Sequence, residues 1–401
     1  MAGPLSHLRV LDLGRIMAAP WATQILADLG AEVIKIERPG VGDDTRGWGP
    51  PFLKDRDGNP TKDAGYFLAV NRGKRSVTLD ITRPAGQAIV KRLAQDCDIV
   101  VENFKVGALK RYGLDAASLR ALKPALIYCS VTGFGQDGPR AEQAAYDFMI
   151  QAMCGLMSIT GEADGAPQKV GVPIIDLMTG MYAATAILAA VARRAETGQG
   201  ETIDLAMLDV GTGILANQAM NHLVGGRVPH RAGNRHPNIQ PQDVFPAKDG
   251  QIVLAVGNDG QFAKLCEAIE RPDWAADPRF IRNADRVRHN ADLTPLLAER
   301  FADFTRAELT ARLDAAGVPC GPINTVPDVF ADPQVIHRGL LRRLPHAAGE
   351  VPMVAGPIRM AEAGTRTDGV PPLLGADTDA VLDSIGIGAA ERAALAAEGV
   401  I

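Results

Sequence analysis

The sequence has no CxxC pair, no histidine cluster, no GxGxxG after its first strand, and no unbroken apolar run of about 18 residues. Each absence removes a class of protein. Cys97, Cys129, Cys154, Cys266 and Cys320 lie far apart. This argues against a disulfide framework or a zinc site and reads as buried thiols in a reducing, cytoplasmic compartment. Without a long apolar run no membrane span is expected, and the opening Met-Ala-Gly-Pro-Leu-Ser-His has no secretory n- and h-regions. The missing glycine fingerprint excludes the usual dinucleotide site. Forty-two Lys and Arg against 47 Asp and Glu give a net charge of −5, so nothing suggests a nucleic-acid partner, although a local basic pocket stays open. There is no internal repeat. What remains is a 401-residue chain, 46% apolar, long enough for two or more domains around a large core.

One stretch organises the chain: Val170-Gly-Val-Pro-Ile-Ile-Asp-Leu-Met-Thr-Gly-Met-Tyr182. From Leu177 to Val191 there is no charge and no proline, and Leu177, Met181, Leu188 and Val191 recur at helical spacing among alanines. Arg193, Arg194 and Gly198 suit the C-terminal end of that helix. Asp176 is the only charged side chain between Lys169 and Arg193. Two readings stand beside each other. Asp176 is an N-cap, the ordinary use of Asp at this place, or a nucleophilic carboxylate kept ionised by the helix N-terminus.

Ahead of it, strand Leu8–Leu13, a helix through Trp21 and strand 31–37 make a βαβ unit, hence parallel pairing. Ligands on such sheets bind beyond the carboxyl ends of the strands, which puts residues 15–18 and Arg38 on one rim. Residues 39–65 are rich in Gly, Pro and Asp and too long for a plain connector, so a functional excursion or flap is expected. Asn71-Arg-Gly-Lys-Arg-Ser76 is either a solvated turn or an anion grip. Later strands at 98–102 and 126–131 run into Asn103-Phe-Lys105, Arg111 and Thr132-Gly-Phe-Gly135. Pooled, these cations predict an electropositive cleft for a phosphorylated ligand. Residues 225–242 change character and mark the domain boundary, after which a hairpin about Lys248-Asp-Gly250 opens a second unit. The tail ends in an alanine-rich helix over 382–399.

Taken in order, these pieces resemble the class III coenzyme A transferases (CaiB/BaiF type), whose members include an α-methylacyl-CoA racemase. The likeness rests on Ala18 and Pro20, residues 33–40, Gly42-Asp-Asp-Thr-Arg46, residues 71–80, Glu102-Asn-Phe104, residues 133–135, Asp176-Leu-Met-Thr-Gly180, Gly198-Gln-Gly200 and His236-Pro237. The resemblance implies an α/β fold: a Rossmann-like large domain over 1–224, completed by 330–401, with a linker and smaller α/β domain over 225–329. It implies an interlocked homodimer. It makes Asp176 the nucleophile, and Met17, Ala18, Arg38, Asn71, Arg72, Gly73, Lys74, Asn103, Phe104, Lys105, Arg111, Thr132, Gly133, Phe134 and Gly135 the contacts of coenzyme A. No metal or prosthetic group is required, since the CoA thioester is the substrate.

The implied reaction moves CoA from an acyl-CoA, with succinyl-CoA expected, to a dicarboxylic acid through an aspartyl anhydride and an aspartyl-CoA thioester. Gly257-Asn-Asp-Gly260 stands where the family has a flexible glycine loop. Arg46, Arg231, Arg235 and His236 are candidate partners for a second carboxylate. Two alternatives remain: an acyl-CoA racemase or isomerase using the same aspartate as acid or base, and a non-catalytic CoA-binding protein. Against the racemase, residues 133–160 hold no histidine.

Overall fold

The computed structural model describes residues 3–366 and 368–401. The chain forms two compact units, one of Met1–Leu156, Val170–Asn217 and Gln334–Ile401, the other of Met157–Lys169 and Gln218–Pro333. Residues 157–169, 218–224 and 330–333, grouped with the large domain on sequence, fall in the second unit.

The first unit is built on six parallel strands: β1 (Arg9–Asp12), β2 (Glu32–Glu37), β3 (Lys74–Thr78), β4 (Ile99–Glu102), β5 (Ile127–Thr132) and β6 (Thr202–Ala206). Their order is β3-β2-β1-β4-β5-β6. This is the doubly wound order, and its direction reverses between β1 and β4, where the loops leaving two adjacent strands part and open a crevice. Successive side chains of a strand face opposite ways, so both faces of this sheet must be covered. Leu11, Ile34, Val77, Val100 and Tyr128 pack on one side with α2 (Pro84–Asp96) and with Val381, Leu382, Leu395 and Val400 of the tail. Val10, Val33, Ile99, Val101 and Ile127 pack on the other with α1 (Ala18–Asp28) and α4 (Ile174–Thr197). Each such side chain taken from water stabilises the fold by about 1.5–3 kcal/mol. A short helix α3 (Asp147–Met153) precedes α4.

Helix α4 departs from one expectation. It is 24 residues long, enough by length and composition alone to cross a membrane. Its alanines raise hydropathy without making an unbroken run of large apolar residues. Ile175, Thr179, Gly180, Ala183, Ala184, Ile187 and Ala190 are buried, so it is a core helix. Two further expectations change. The 39–65 excursion is no loose flap: it holds a hairpin of Phe52–Lys54 with Pro60–Ala64, tied down by an internal ion cluster described below. The tail is two helices, Thr378–Ser384 and Ala389–Ala397, because Gly386 at φ 77° breaks the alanine-rich run.

The second unit carries an antiparallel sheet of β7 (Gln242–Ala247), β8 (Gly250–Ala255) and β9 (Cys320–Pro322), with β8 central. Its core is aromatic, holding Phe245, Phe262, Phe280 and Phe301. Gly257-Asn-Asp-Gly260 is pinned rather than free. Asn258 accepts the Gln261 N–H at 2.9 Å as cap of the helix Asp259–Ala268, and Asp259 pairs with buried Arg286 at 2.7 Å.

Candidate active site

Asp176 sits in the first turn of α4, yet it caps nothing. The helix start is closed by a residue the sequence reading missed. The Asp147 carboxylate on α3 accepts the N–H of Ile175 at 2.7 Å and of Asp176 at 3.2 Å. Gln151, one turn further along α3, donates to the other Asp147 oxygen at 2.6 Å and accepts the Val170 N–H at 2.9 Å. The N-cap reading of Asp176 is therefore set aside, and its carboxyl has no hydrogen-bond partner among the described residues. Burial and then the charge of Asp147 push it up to about 7. The expectation that the helix N-terminus keeps it ionised is reversed, because the nearest orphan N–H groups are already satisfied by another anion.

Packing fixes what surrounds it. A Cβ on Gly180 would lie 2.8 Å from the Ala18 carbonyl oxygen and from the Trp21 ring. Only glycine lets α4 approach the start of α1 so closely, which brings buried Ala18 to the Asp176 helix; Met17, just before it, is buried as well. Phe134, from the loop after β5, packs with Ile150, Cys154 and Ile175 behind Asp176. Tyr66 is half-buried; burial, then the charges of Asp176 and Asp147, raise its phenol, so it stays protonated beside them. Its ring meets Trp48 edge-on at 5.2 Å.

The rim lies at the β1/β4 crevice. Arg15 N–H donates to Asn103 at 2.8 Å and Asn103 donates back to the Arg15 carbonyl at 2.7 Å, joining the loops after the two strands. Ile16 between them is held at φ 69°, a left-handed conformation costly for a β-branched residue, with its N–H on Asp43. Asp44 gathers Arg15 and Arg38, the latter at 2.6 Å. A cavity of about 210 Å3 opens here, walled by Leu79, Ile81 and Phe104 and edged by Arg15, Arg38 and Arg111. The Arg111 guanidinium stands 4.6 Å over the Tyr112 ring. Lys105 is exposed. In the loop after β5, Thr132 accepts the Gly135 N–H at 2.9 Å, Gly133 has no room for a Cβ against Ala145, and Gly135 adopts φ 92°.

The run Asn71–Lys74 is placed differently. It enters a strand instead of leaving one, and its side chains are spent internally. The three N–H bonds of Lys74 go to Asp12, the Pro20 carbonyl and Asn71, each at 2.9 Å. Burial, opposed by Asp12 and aided by Lys35, lowers this amine to about 8. Arg72 is paired with Asp28, Arg75 with Glu32 and Asp377, and Asn71 donates to the Phe67 carbonyl. Gly73 adopts φ 75° and its N–H bonds the Val370 carbonyl at 3.0 Å. An anion grip built from these side chains is corrected to a buried structural cluster.

Arg46 is corrected likewise. It is buried on Glu37 at 2.7 Å and Asp63 at 2.5 Å, over the Phe67 ring at 3.6 Å, and is not available to a substrate carboxylate. Arg231, Arg235 and His236 belong to the second unit. There Arg231 keeps a buried Nε without a partner among the described residues. His236 accepts the N–H groups of Asn238 and Ile239 at 3.1 Å.

The sequence profile of CoA-transferase family III matches residues 5–378. The chain belongs to that family. As a class III CoA-transferase it is an enzyme of acyl-CoA metabolism. It is 48% identical to the succinate–glutarate CoA-transferase of Agrobacterium fabrum, over 93% of each chain. It is 40% identical to the succinyl-CoA:glutarate CoA-transferase of Homo sapiens, over 95% of this chain and 86% of that one. To the succinyl-CoA:mesaconate CoA-transferase of Haloarcula hispanica it is 38% identical over 96% and 97%. A crystal structure of a CaiB/BaiF family protein from Brucella suis superposes with a TM-score of 0.84 at 49% identity, covering 96% of this chain and all of that one. Among the described residues no cluster of three metal-ligating side chains occurs.

Proposed function

We propose that this CoA-transferase moves coenzyme A from succinyl-CoA to a second dicarboxylic acid of the glutarate or mesaconate kind, with Asp176 as nucleophile. The observation that carries this reading is an Asp176 carboxyl with no bonding partner, half-buried at a helix start whose N–H groups another residue has taken. A carboxylate that is neither capping nor paired is free to attack. Its lone pair adds to the thioester carbonyl and expels the CoA thiolate, giving an aspartyl–acyl anhydride. The thiolate attacks the aspartyl carbonyl, releasing succinate and leaving an aspartyl-CoA thioester. The acceptor carboxylate attacks that thioester, and the returning thiolate resolves the second anhydride onto the new acyl group. Tyr66, protonated and adjacent, is the neutral donor suited to the oxyanions.

The rim cavity with Arg15, Arg38, Phe104 and Arg111 suits the base and phosphates of CoA, and the loops at 103–105 and 132–135 suit the pantetheine arm. Met17 and Ala18 have buried side chains, so their contacts would be through backbone. Free, mostly buried cysteines fit a reducing cytoplasm. The interlocked homodimer is supported by strongly exposed apolar side chains, Leu223 at 74%, Val224 at 80% and Val228 at 77%. An isolated chain gains nothing from leaving them in water.

The test is a screen of purified protein with succinyl-CoA and a panel of carboxylic acids. Glutarate or a close dicarboxylate should accept CoA, and no solvent deuterium should enter the α-carbon. Deuterium entering an acyl-CoA at the turnover rate, with no acceptor present, would make Asp176 a general base and the enzyme a racemase.

A further inference from the structure

Glu102 ends β4 immediately beneath the rim, and no step above uses it. Its side chain is buried. The Phe104 N–H donates to Oε2 at 2.7 Å, and the Ser130 hydroxyl on β5 bonds Oε1. Gln136 donates through Nε2 to that hydroxyl at 2.7 Å. An amide nitrogen can only donate, so Ser130 accepts there and passes its own proton toward Glu102. Every bond in the chain thus ends on the carboxyl as acceptor. The segments it joins are the loop after β4, which Asn103 ties to Arg15, and the loop after β5 from Thr132 to Gln136.

We infer that Glu102 is a positioning residue for acyl-CoA, its ionised carboxylate holding the 103–105 and 132–136 loops at the spacing the ligand needs, and its protonation loosening them. This rests on the reading that these loops bind acyl-CoA. Among the described residues no basic side chain bonds Glu102. Tyr128 and Cys129 of β5 feel its charge, and both are pushed further from ionisation, by burial first and then by Glu102. Burial raises Glu102 to about 7 against the Ser130 and Phe104 bonds. When it takes a proton, the bonds from Phe104 and Ser130 lose their charge assistance, and the Ser130 hydroxyl must turn to accept from the new O–H, so the tie between the two loops weakens.

The effect is on binding, which separates it from Asp176. The experiment measures the Kd of succinyl-CoA by calorimetry between pH 6 and 8.5, on an Asp176→Asn background that cannot turn over. With Glu102 intact, affinity should weaken about tenfold as pH falls through about 7. With Glu102→Gln added, which mimics the protonated acid, affinity should sit near the acid limit at every pH. Titration of the ligand's own phosphate is common to both proteins and cancels in the comparison. Exposed Gln136→Ala should weaken binding about two- to threefold with Tm unchanged. Equal pH dependence in the two backgrounds overturns the inference. Should Glu102→Gln fail to fold, Gln136→Ala with wild-type affinity overturns it instead. If Arg111→Glu weakens binding while both of these variants leave it untouched, the site reading stands and only the role of Glu102 falls. A protein that binds no succinyl-CoA at any pH overturns both.

Discussion

Asp147 accepts the backbone N–H of Asp176 at 3.2 Å while its charge raises the Asp176 carboxyl above the ordinary range. One residue thus frees the Asp176 carboxyl from capping and adds to the proton affinity that burial gives it. Asp147→Asn keeps an acceptor oxygen for the helix start but removes the charge. The acidic limb of kcat/KM, expected near pH 7 in the wild type, should move to lower pH, because Asp176 then ionises more readily. Activity at pH 6 relative to pH 8 should rise. A limb that stays in place would mean that burial alone sets it.

The same shift bears on stability. The folded-state value of about 7 lies above the ordinary 3.8 of an aspartate, so the folded protein holds this proton more tightly than the unfolded chain does. That contribution is full below pH about 4 and is lost as pH rises through about 7, where the buried charge is carried at a cost. Asp176→Asn never carries it. The variant should lose transfer yet melt about 1–3 °C higher than wild type at pH 8, with no difference near pH 4. Solvent reaching the half-buried carboxyl keeps the gain small. Thermal melts at the two pH values check this.

Gly180→Ala should destabilise by about 1–3 kcal/mol, although alanine is the better helix former, because the methyl meets the Ala18 carbonyl and Trp21 ring, and backbone cannot yield cheaply. Denaturant melts give the stability, and kcat/KM should fall with it, since α1 and α4 are forced apart at the site.

Lys74 and Arg111 should separate cleanly. Lys74→Met strands the Asp12 charge in the core and should cost about 3–5 kcal/mol. Arg111→Glu, on an exposed rim residue, should leave Tm unchanged and raise KM for succinyl-CoA about tenfold, more at low salt. A Lys74 variant of normal stability with a raised KM would restore the anion-grip reading.

The parallel sheet was legible because its strands are short apolar runs between turn signals, and helix α4 because charge and proline vanish over its length. Asp176 stood out as a lone charge. What stayed hidden depends on partners far along the chain. Asn71–Lys74 carries the same residues whether its cations face solvent or Asp12 and Asp28, and nothing local distinguishes the two. Arg46 was offered to substrate because Glu37 and Asp63 are brought to it only by the folded excursion. Asp147 is one acid in a short helix with exposed neighbours; only the meeting of α3 with α4 gives it a task. Glu102 reads as the polar end of a strand until Ser130 and Gln136 are seen to converge on it.

The proposed chemistry requires the acyl group to pass through a covalent bond to Asp176. The direct measurement is peptide mass analysis after hydroxylamine is added during turnover with saturating succinyl-CoA and glutarate. A hydroxamate on the peptide carrying Asp176, absent without succinyl-CoA, is the predicted result. Transfer proceeding at full rate with that peptide unmodified, or with the modification on another carboxylate, would contradict it.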